Sequence, residues 1–200
     1  MGWTFSYGMK RAALIAERTA TREWKGKDGV AVKDVVLASC YRGGVFKGTF
    51  YAVHERTHTP KRGPSTSERW LEVTLMECHT YPEHGPSWGY KDMEESMGPC
   101  EVSCPLGYLE MVPEKKCPES CDGCAKDSCS GLWARRWRER VRAYHAEREA
   151  ARTKAKALTP GTVVQLKEGC SPRELVIVST KPLIGESGGR PYRIKARHLA

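Results

Sequence analysis

Hydrophobic and polar residues alternate along three segments in the first half of the chain. These segments, Val30–Arg42, Val45–His54 and Trp70–Tyr81, are rich in β-branched and aromatic residues, which pack well on the pleated surface of a sheet. A Gly-Gly pair follows the first segment and a run of Pro, Gly and Ser precedes the third, as expected for turns and loops. The pattern predicts three antiparallel strands, with a further short strand at the N-terminus and a loop over residues 81–89.

Two other segments have the periodicity of helices. Lys10–Arg22 holds an Ala- and Leu-rich run followed by charged residues, and we expect it to pack on the strands as a helix. A long helix is predicted over Leu132–Ala157, which lies between a glycine and a helix-ending Thr-Pro-Gly sequence. Its large apolar residues recur at helical intervals and so form one stripe for core contact. The stripe consists of Trp133, Trp137, Val141 and Tyr144.

The remaining residues, 159–200, contain three short strand candidates with Gly-rich connections. These are Thr162–Lys167, Glu174–Thr180 and Pro191–Arg197. Such a short segment suits a small SH3-like β unit or a β-appendage of the main domain, since few residues bury little surface alone. The expected organisation is therefore an α+β domain over residues 1–158 and a small β unit over residues 159–200.

Six of the nine cysteines lie between positions 100 and 129. They are Cys100, Cys104, Cys117, Cys121, Cys124 and Cys129. The chain shows no signal sequence and no run of about eighteen uncharged apolar residues, so a cytoplasmic protein without membrane contact is expected. Thiols stay reduced in that compartment, and close-set thiol pairs suit tetrahedral zinc. The sequence therefore predicts a cysteine-rich loop over residues 100–129 that is stabilised by Zn²⁺.

Two ligand sets satisfy the cysteine spacing. The set that the spacing favours is Cys100, Cys104, Cys121 and Cys124. The other is entirely local and consists of Cys117, Cys121, Cys124 and Cys129. Six thiolates are also enough for two ions. The three cysteines outside the loop, Cys40, Cys78 and Cys170, are expected to be small buried hydrophobic residues.

The charge of the chain favours an anionic partner. There are 33 Lys and Arg against 24 Asp and Glu, a formal net charge of +9, and a positive field attracts nucleic acid. Residues 135–156 of the long helix hold nine Arg or Lys and three Glu, although such a face can also be a solvated, salt-bridged one. Basic residues also alternate in the last predicted strand and would share a face. The predicted nucleic-acid contacts are Arg135, Arg136, Arg138, Arg142, Arg193, Lys195 and Arg197.

Short matches to catalytic motifs fail on their context. The His-Glu-x-x-His string from His54 to His58 resembles a helical zinc motif, but it follows a strand-like segment and precedes Pro60. In an extended chain its histidines would stand about 13 Å apart at ~3.3 Å per residue, too far to share an ion. The deaminase pattern fails in order and spacing, and no phosphate-binding loop is present. The acidic residues at 92–95 are expected to form a solvated turn or a helix start.

Segments spread along most of the chain resemble one protein family. Gly89–Pro99, with the sequence GYKDMEESMGP, is followed by Cys100, by Cys104-Pro105, by the Trp-Arg-Glu-Arg of Trp137–Arg140 and by Tyr192–Ile194. In these features and in its opening Met-Gly-Trp-Thr the chain resembles an uncharacterised family encoded by bacteriophages and other mobile elements, with a GYKDMxExMGPC-type motif. The segment from 117 to 129 looks like an addition to the shared pattern. The resemblance implies no particular activity, but it implies an origin in mobile DNA and so favours a role in replication, expression or host defence.

These observations favour binding over catalysis. The first hypothesis is a zinc-stabilised accessory protein of a phage or mobile element that binds nucleic acid through the basic helix and the terminal strand. The second is a protein-interaction module that binds and inhibits a host factor, such as a defence protein. An enzyme ranks third, because the sequence offers no coherent set of nucleophile, base and open metal site.

Overall fold

The computed structural model describes residues 2–26, 29–114 and 129–200. Its architecture is mixed α/β with antiparallel sheets and one long helix, which confirms the predicted class at that level. The chain forms two compact units, Met1–Val141 and Arg142–Ala200. The boundary falls within the long helix, whereas the sequence placed it after residue 158. Among the described residues, no helix combines the length and apolar composition that crossing a membrane requires.

The first unit contains one six-stranded antiparallel sheet in the order β1-β6-β5-β4-β3-β2. The strands are β1 (Thr4–Ser6), β2 (Arg22–Lys25), β3 (Ala31–Gly43), β4 (Lys47–Thr59), β5 (Thr66–Tyr81) and β6 (Gly85–Glu94). The three strands predicted from the alternating pattern correspond to β3, β4 and β5. The loop predicted over residues 81–89 is wrong, because residues from Gly85 onward pair with β5. Pro86 is tolerated in β6 because β1 pairs only with residues 88–90, which leaves the proline on an edge.

The helices are close to their predicted positions. The first unit holds α1 (Arg11–Thr19) and α2 (Leu106–Met111), and the long helix covers Ser130–Ala157. The prediction of the long helix is thus confirmed. Helix α1 ends before the predicted Arg22, because Arg22–Lys25 pairs with β3 as strand β2. Single 3-10 turns lie at Glu95–Met97 and Ala196–His198.

Both faces of the six-stranded sheet carry a hydrophobic core. One core joins α1 to the sheet and contains Leu14, Phe50, Ala52, Met76 and Trp88. The other joins α2 and the first half of the long helix to the opposite face and contains Tyr51, Val53, Leu71, Val73, Leu109, Trp137 and Val141. Because successive strand residues point to opposite faces, the continuous apolar run in β4 serves both cores. Burial of each large side chain contributes about 1.5–3 kcal/mol.

The predicted apolar stripe of the long helix is confirmed only at its centre. Trp137 and Val141 are fully buried, whereas Trp133 is 40% exposed. Tyr144 is half-buried and belongs to the second unit. The periodicity therefore identified the helix face correctly but overestimated the length over which that face is covered.

The second unit contains a four-stranded antiparallel sheet in the order β10-β9-β8-β7. Its strands are β7 (Val163–Gln165), β8 (Glu174–Thr180), β9 (Leu183–Ser187) and β10 (Arg190–Arg193). Its core consists of Val164, Leu166, Leu175, Ile177, Ile194 and Leu199, with Ala155 and Leu158 packed against it. Strand β9 escaped prediction because it contains Gly185, which is there for packing: an added Cβ would meet Leu175 and Ile194 at 2.8 Å.

Candidate nucleic-acid interface

A groove in the second unit collects basic side chains from two elements. The long helix contributes Tyr144, Arg148 and Arg152, and the segment after β10 contributes Lys195 and Arg197. The groove has a volume of about 490 Å³, which lies within the range of about 300–1,000 Å³ for ligand sites. The cationic groups of two separate elements thus face one space.

The local structure explains how each wall is built. Tyr144, Arg148 and Arg152 are spaced four residues apart, so they lie on one face of the helix. After β10 the chain enters the 3-10 turn Ala196–His198, and the next residue, Leu199, is buried in the core of the second unit. The turn is therefore anchored, and its exposed residue Arg197 is held at the groove.

Positive charge prevails in this groove. The carboxylate of Glu147, which lines the groove, forms a hydrogen-bonded ion pair with Lys167. The hydrogen bond from Lys167 holds the pKa of Glu147 below its usual value. Arg148 donates a hydrogen bond to the Tyr144 hydroxyl at 3.0 Å, and its guanidinium lies 5.4 Å from the ring centroid. Since a tyrosine hydroxyl is neutral, this bond leaves the Arg148 charge without compensation, whereas Arg152 forms an exposed ion pair with Glu149 at 3.4 Å. The groove therefore suits an anionic group such as a phosphate.

The structure places the predicted nucleic-acid residues in different settings. Lys195 and Arg197 line the groove, but the predicted reason, alternation along a strand, is wrong because β10 ends at Arg193. The long helix carries Arg135, Arg136 and Arg142 at exposed positions, and Arg193 is exposed at the end of β10. The groove residues Tyr144, Arg148 and Arg152 were missed, although an aromatic and two arginines at intervals of four were a usable signal.

Arg138 was predicted to contact nucleic acid, and this prediction is wrong. Its side chain is 2% exposed. The guanidinium donates to both carboxylate oxygens of Glu95, at 2.7 and 2.9 Å, and to the carbonyls of Leu109 and Val112, at 3.2 and 3.0 Å. Of the two alternatives for the acidic residues at 92–95, the helix start fits Glu95, which begins the 3-10 turn Glu95–Met97. The solvated turn does not, since this residue is 8% exposed. Four of the five guanidinium N–H groups of Arg138 are thus used inside the protein, and a side chain that is 2% exposed is out of reach of a phosphate.

The GYKDMEESMGP segment and the residues that follow it contact the Trp-Arg-Glu-Arg segment of the long helix. Trp137 Nε1 donates to the carbonyl of Glu101 at 2.7 Å, and Arg140 donates to the carbonyls of Gly98 and Pro99 at 3.1 and 2.6 Å. Gly98 has a φ of 59°, a left-handed conformation that favours glycine. Together with the Glu95 pair, these bonds make the GYKDMEESMGP segment a structural joint between β6 and the first half of the long helix.

Half of the predicted zinc ligands lie outside the described residues. Cys117, Cys121 and Cys124 fall within 115–128, which the structure does not describe. Cys100 is exposed and Cys129 is half-buried, whereas Cys104 is fully buried in the core, where burial raises the pKa of its thiol. In the described ranges, no three His, Cys, Asp or Glu side chains converge on one point. Zinc therefore stays a prediction for this loop.

The cysteines outside the loop were expected to be buried, and they are only partly so. Cys40, Cys78 and Cys170 are half-buried, and each packs against a different hydrophobic core.

The His-Glu-x-x-His string is extended, as predicted, but it lies inside β4, whereas the sequence placed it at a hairpin end after a strand that stops at His54. The ring of His54 stacks on Trp70 with centroids 4.9 Å apart, and its Nε2 lies 2.7 Å from a carboxylate oxygen of Glu72. Glu55 accepts a hydrogen bond from Arg69 at 2.8 Å. Because β4 continues to Thr59, the string lies inside the strand and not at its end. Its side chains pair with neighbouring strands and do not form a helical zinc motif.

A second pocket, of about 390 Å³, lies in the first unit between α1 and the sheet. Arg18 of α1 forms ion pairs with Glu72 and with Asp92, the latter at 2.7 Å. Arg56 donates two hydrogen bonds to Asp34, at 2.8 and 2.9 Å. Glu72 and Asp92 thus share Arg18, which attaches α1 to the sheet, while the Arg56–Asp34 pair joins β4 to β3. Glu17 and Arg22 also line the pocket.

Glu72 is the centre of this network. Burial raises its pKa, but hydrogen bonds with His54 and Thr74 and the charge of Arg18 outweigh burial and leave the pKa below its usual value. The carboxylate is therefore ionised at neutral pH, where it stabilises the attachment of α1.

Comparisons of the chain with protein families, with curated protein sequences and with solved structures returned no match.

Proposed function

We propose that this protein is a cytoplasmic accessory protein of a phage or mobile element that binds nucleic acid. The observation that carries the proposal is the groove of the second unit, where Arg148, Arg152, Lys195 and Arg197 surround one space beside Tyr144. Such cations contact phosphates and position a nucleic acid without reading its sequence. The net charge of +9 adds long-range attraction. The mobile-element origin rests on the family resemblance, whose two main segments share one structural role.

Zinc is the proposed stabiliser of the loop over residues 100–129. Cys104 is fully buried among the apolar side chains of the core that joins α2 and the long helix to the sheet, and this position works against a role as a zinc ligand beside the exposed Cys100. This observation supports the local ligand set. The proposed ligands are Cys117, Cys121, Cys124 and Cys129. Chelation is then expected to release one ion per chain and to unfold the loop.

The second unit is proposed to be a small SH3-like barrel. Its four strands are antiparallel neighbours, and a bridge between Leu166 and Leu199 brings the last residues back to β7. The Ala200 N–H also donates to the Gln165 carbonyl at 3.0 Å. These contacts curl the sheet towards closure, which supports the barrel and leaves the 3-10 turn at its rim to carry Lys195 and Arg197.

A salt titration with a matched pair of variants tests the nucleic-acid proposal. Fluorescence anisotropy with a labelled oligonucleotide is measured for the parent, for Lys195→Gln/Arg197→Gln and for the control Lys181→Gln/Arg190→Gln. Both doubles remove one Lys and one Arg from exposed positions of the second unit. The groove double is expected to flatten the slope of log affinity against log salt by about 1.8 on duplex or about 1.4 on single strands, since each contact contributes ~0.9 or ~0.7.

Two results would contradict the proposal. Equal losses in the groove and control doubles would show that only the overall charge matters. A parent protein that binds neither DNA nor RNA at low salt would remove nucleic acid as the partner altogether.

A protein-interaction module that binds and inhibits a host factor is the second candidate, and one observation favours it. Val45 and Phe46, in the turn between β3 and β4, are 72% and 70% exposed. Adjacent exposed apolar residues are typical of protein contacts. An interface with an apolar core loses little affinity as salt rises, whereas phosphate contacts lose much. Binding of a host protein that persists at high salt and weakens in Phe46→Ala would support this alternative.

A further inference from the structure

A group of aromatic rings, four of them exposed and two half-buried, lies on the sheet of the first unit, apart from both of its cores. The rings come from β1, from the end of β5 and from the adjoining turns. This aromatic surface consists of Trp3, Phe5, Tyr7, His79, Tyr81 and His84. Ring centroids are 5.0 Å apart for Phe5 and His79, 5.2 Å for Tyr7 and Tyr81 and 4.8 Å for Tyr7 and His84. The six side chains therefore form one continuous patch.

One glycine makes this arrangement possible. Gly89 of β6 pairs with Phe5 of β1 on one side and with Glu77 of β5 on the other. A Cβ at position 89 would meet the Phe5 ring at 2.4 Å, so any other residue would displace the ring. Without a side chain there, Phe5 lies across β6 and reaches His79. Trp3 then lies nearly parallel to Phe5, at 6.0 Å and an interplanar angle of 25°.

The aromatic surface is open to solvent. Tyr7 is 62% exposed and Trp3 is 40% exposed, and both histidines are exposed as well. Exposed rings that support one another keep their orientation, so a flat ligand can stack on them at a small cost in side-chain order.

Basic residues lie on the same face of the sheet. Glu77 pairs with Gly89 and with Lys47, so Lys47 belongs to the cross-strand row that contains Phe5. Leu75 pairs with Lys91 and with Thr49, which in turn pairs with Arg42. Paired residues share a face, and residues two apart along a strand do so too. Lys47 and Lys91 therefore lie beside the aromatic surface, and Arg42 lies further along the second row, beyond the buried Thr49. The single carboxylate in these two rows is that of Glu77.

We propose that the aromatic surface stacks the bases of single-stranded nucleic acid, with Arg42, Lys47 and Lys91 on its phosphates. The inference rests on the proposed nucleic-acid function and names its class of substrate. A duplex keeps its base faces inside its own stack, whereas single strands expose them to aromatic side chains. Stacking tolerates any base, so little sequence preference is expected. Removal of one stacking ring reduces affinity by about 5- to 150-fold.

The test compares a labelled single-stranded oligonucleotide with the same sequence in duplex form. Anisotropy is measured for the parent, for Tyr7→Ala and Trp3→Ala, and for Phe46→Ala, an exposed aromatic that lies outside the surface. The parent is expected to prefer the single strand by at least about 10-fold. Tyr7→Ala and Trp3→Ala should each lose about 5- to 150-fold on the single strand without a change in salt slope, since no charge is removed. Tyr7→Phe keeps the ring and should bind as the parent does.

The outcomes separate this inference from the function on which it rests. Equal affinity for both forms, or unchanged single-strand binding by Tyr7→Ala and Trp3→Ala, overturns the stacking surface. In that case a groove double that still flattens the salt slope leaves the nucleic-acid function standing. A parent that binds neither form removes both proposals. Tryptophan fluorescence and circular dichroism establish that each variant is folded, so a loss that accompanies unfolding is not counted as support.

Discussion

Replacement of Arg138 by Met is expected to destabilise the first unit severely, because it breaks a buried ion pair. The Arg138 side chain is 2% exposed and that of Glu95 is 11% exposed. In Arg138→Met the Glu95 carboxylate stays in the interior without its two hydrogen bonds from the guanidinium. The carbonyls of Leu109 and Val112 lose a donor at the same time.

The expected loss of stability follows from the unpaired Glu95 carboxylate that stays in the interior. Removal of one partner of a buried pair costs about 3–5 kcal/mol, against a total stability of about 5–15 kcal/mol for a domain. With a urea slope of ~2 kcal/mol per molar, a loss of about 4 kcal/mol lowers the unfolding midpoint by about 2 M. The double variant Glu95→Met/Arg138→Met should lose less than the sum of its single variants, because no charge remains in the interior.

Urea unfolding followed by tryptophan fluorescence measures this loss. All six tryptophans lie between positions 3 and 137, so the signal reports the first unit. The matched control is Arg135→Met, the same chemical change at an exposed position of the same helix, for which a change within about 0.5 kcal/mol is expected. Equal midpoints for Arg138→Met and Arg135→Met would refute the buried pair and return Arg138 to the surface.

Three further expectations follow from the described side chains. The pKa of Glu72 is lowered in the folded protein, so its contribution to stability is complete above the unfolded pKa of about 4.3 and is lost as pH falls through the folded pKa. The difference in stability between the parent and Glu72→Gln should therefore shrink on acidification. A difference that is constant with pH would argue against the network. With chelator present, iodoacetamide should modify exposed Cys100 well before buried Cys104, whose thiol has a raised pKa, and mass spectrometry would show the opposite order if Cys104 were accessible. Glu55→Gln removes only a partly exposed pair with Arg69, so a stability change within about 1 kcal/mol is expected, and any metal-dependent hydrolysis that this variant abolished would revive the enzyme hypothesis.

The strands with clean alternation could be predicted, and those set by packing could not. The segments that became β3, β4 and β5 alternate because each has one face towards a core. Strand β6 holds Gly85, Pro86 and Gly89, which are typical of loops, yet pairing with β5 and the Phe5 ring over Gly89 require this strand. In β9 the glycine is likewise required by close packing. In both strands the glycine is required by residues that are distant in sequence, so the local sequence does not indicate a strand.

The basic character of the candidate site could be predicted from the sequence, but the residues that line it could not all be identified. Lys195 and Arg197 were identified from charge, and they line the groove for a reason unrelated to strand alternation. Arg138 carries the same charge as Arg135 and lies on the same helix. Because it lies three residues before Val141, however, its side chain points to the interior and pairs with Glu95. Sequence shows which residues are cationic, whereas exposure depends on which helix face the sheet covers.

This difference in exposure limits how many phosphates the long helix can contact. Of its nine basic residues between 135 and 156, Arg138 is bonded to Glu95 and Arg140 to main-chain carbonyls, while Arg148 and Arg152 line the groove with Lys195 and Arg197. Four groove contacts predict a salt slope of about −2.8 on single strands, and three more from Arg42, Lys47 and Lys91 steepen it to about −4.9 at ~0.7 per contact. A slope near −2.8 would assign the phosphates to the groove alone. One steeper than about −5 would require Arg135, Arg136 or Arg142 as well.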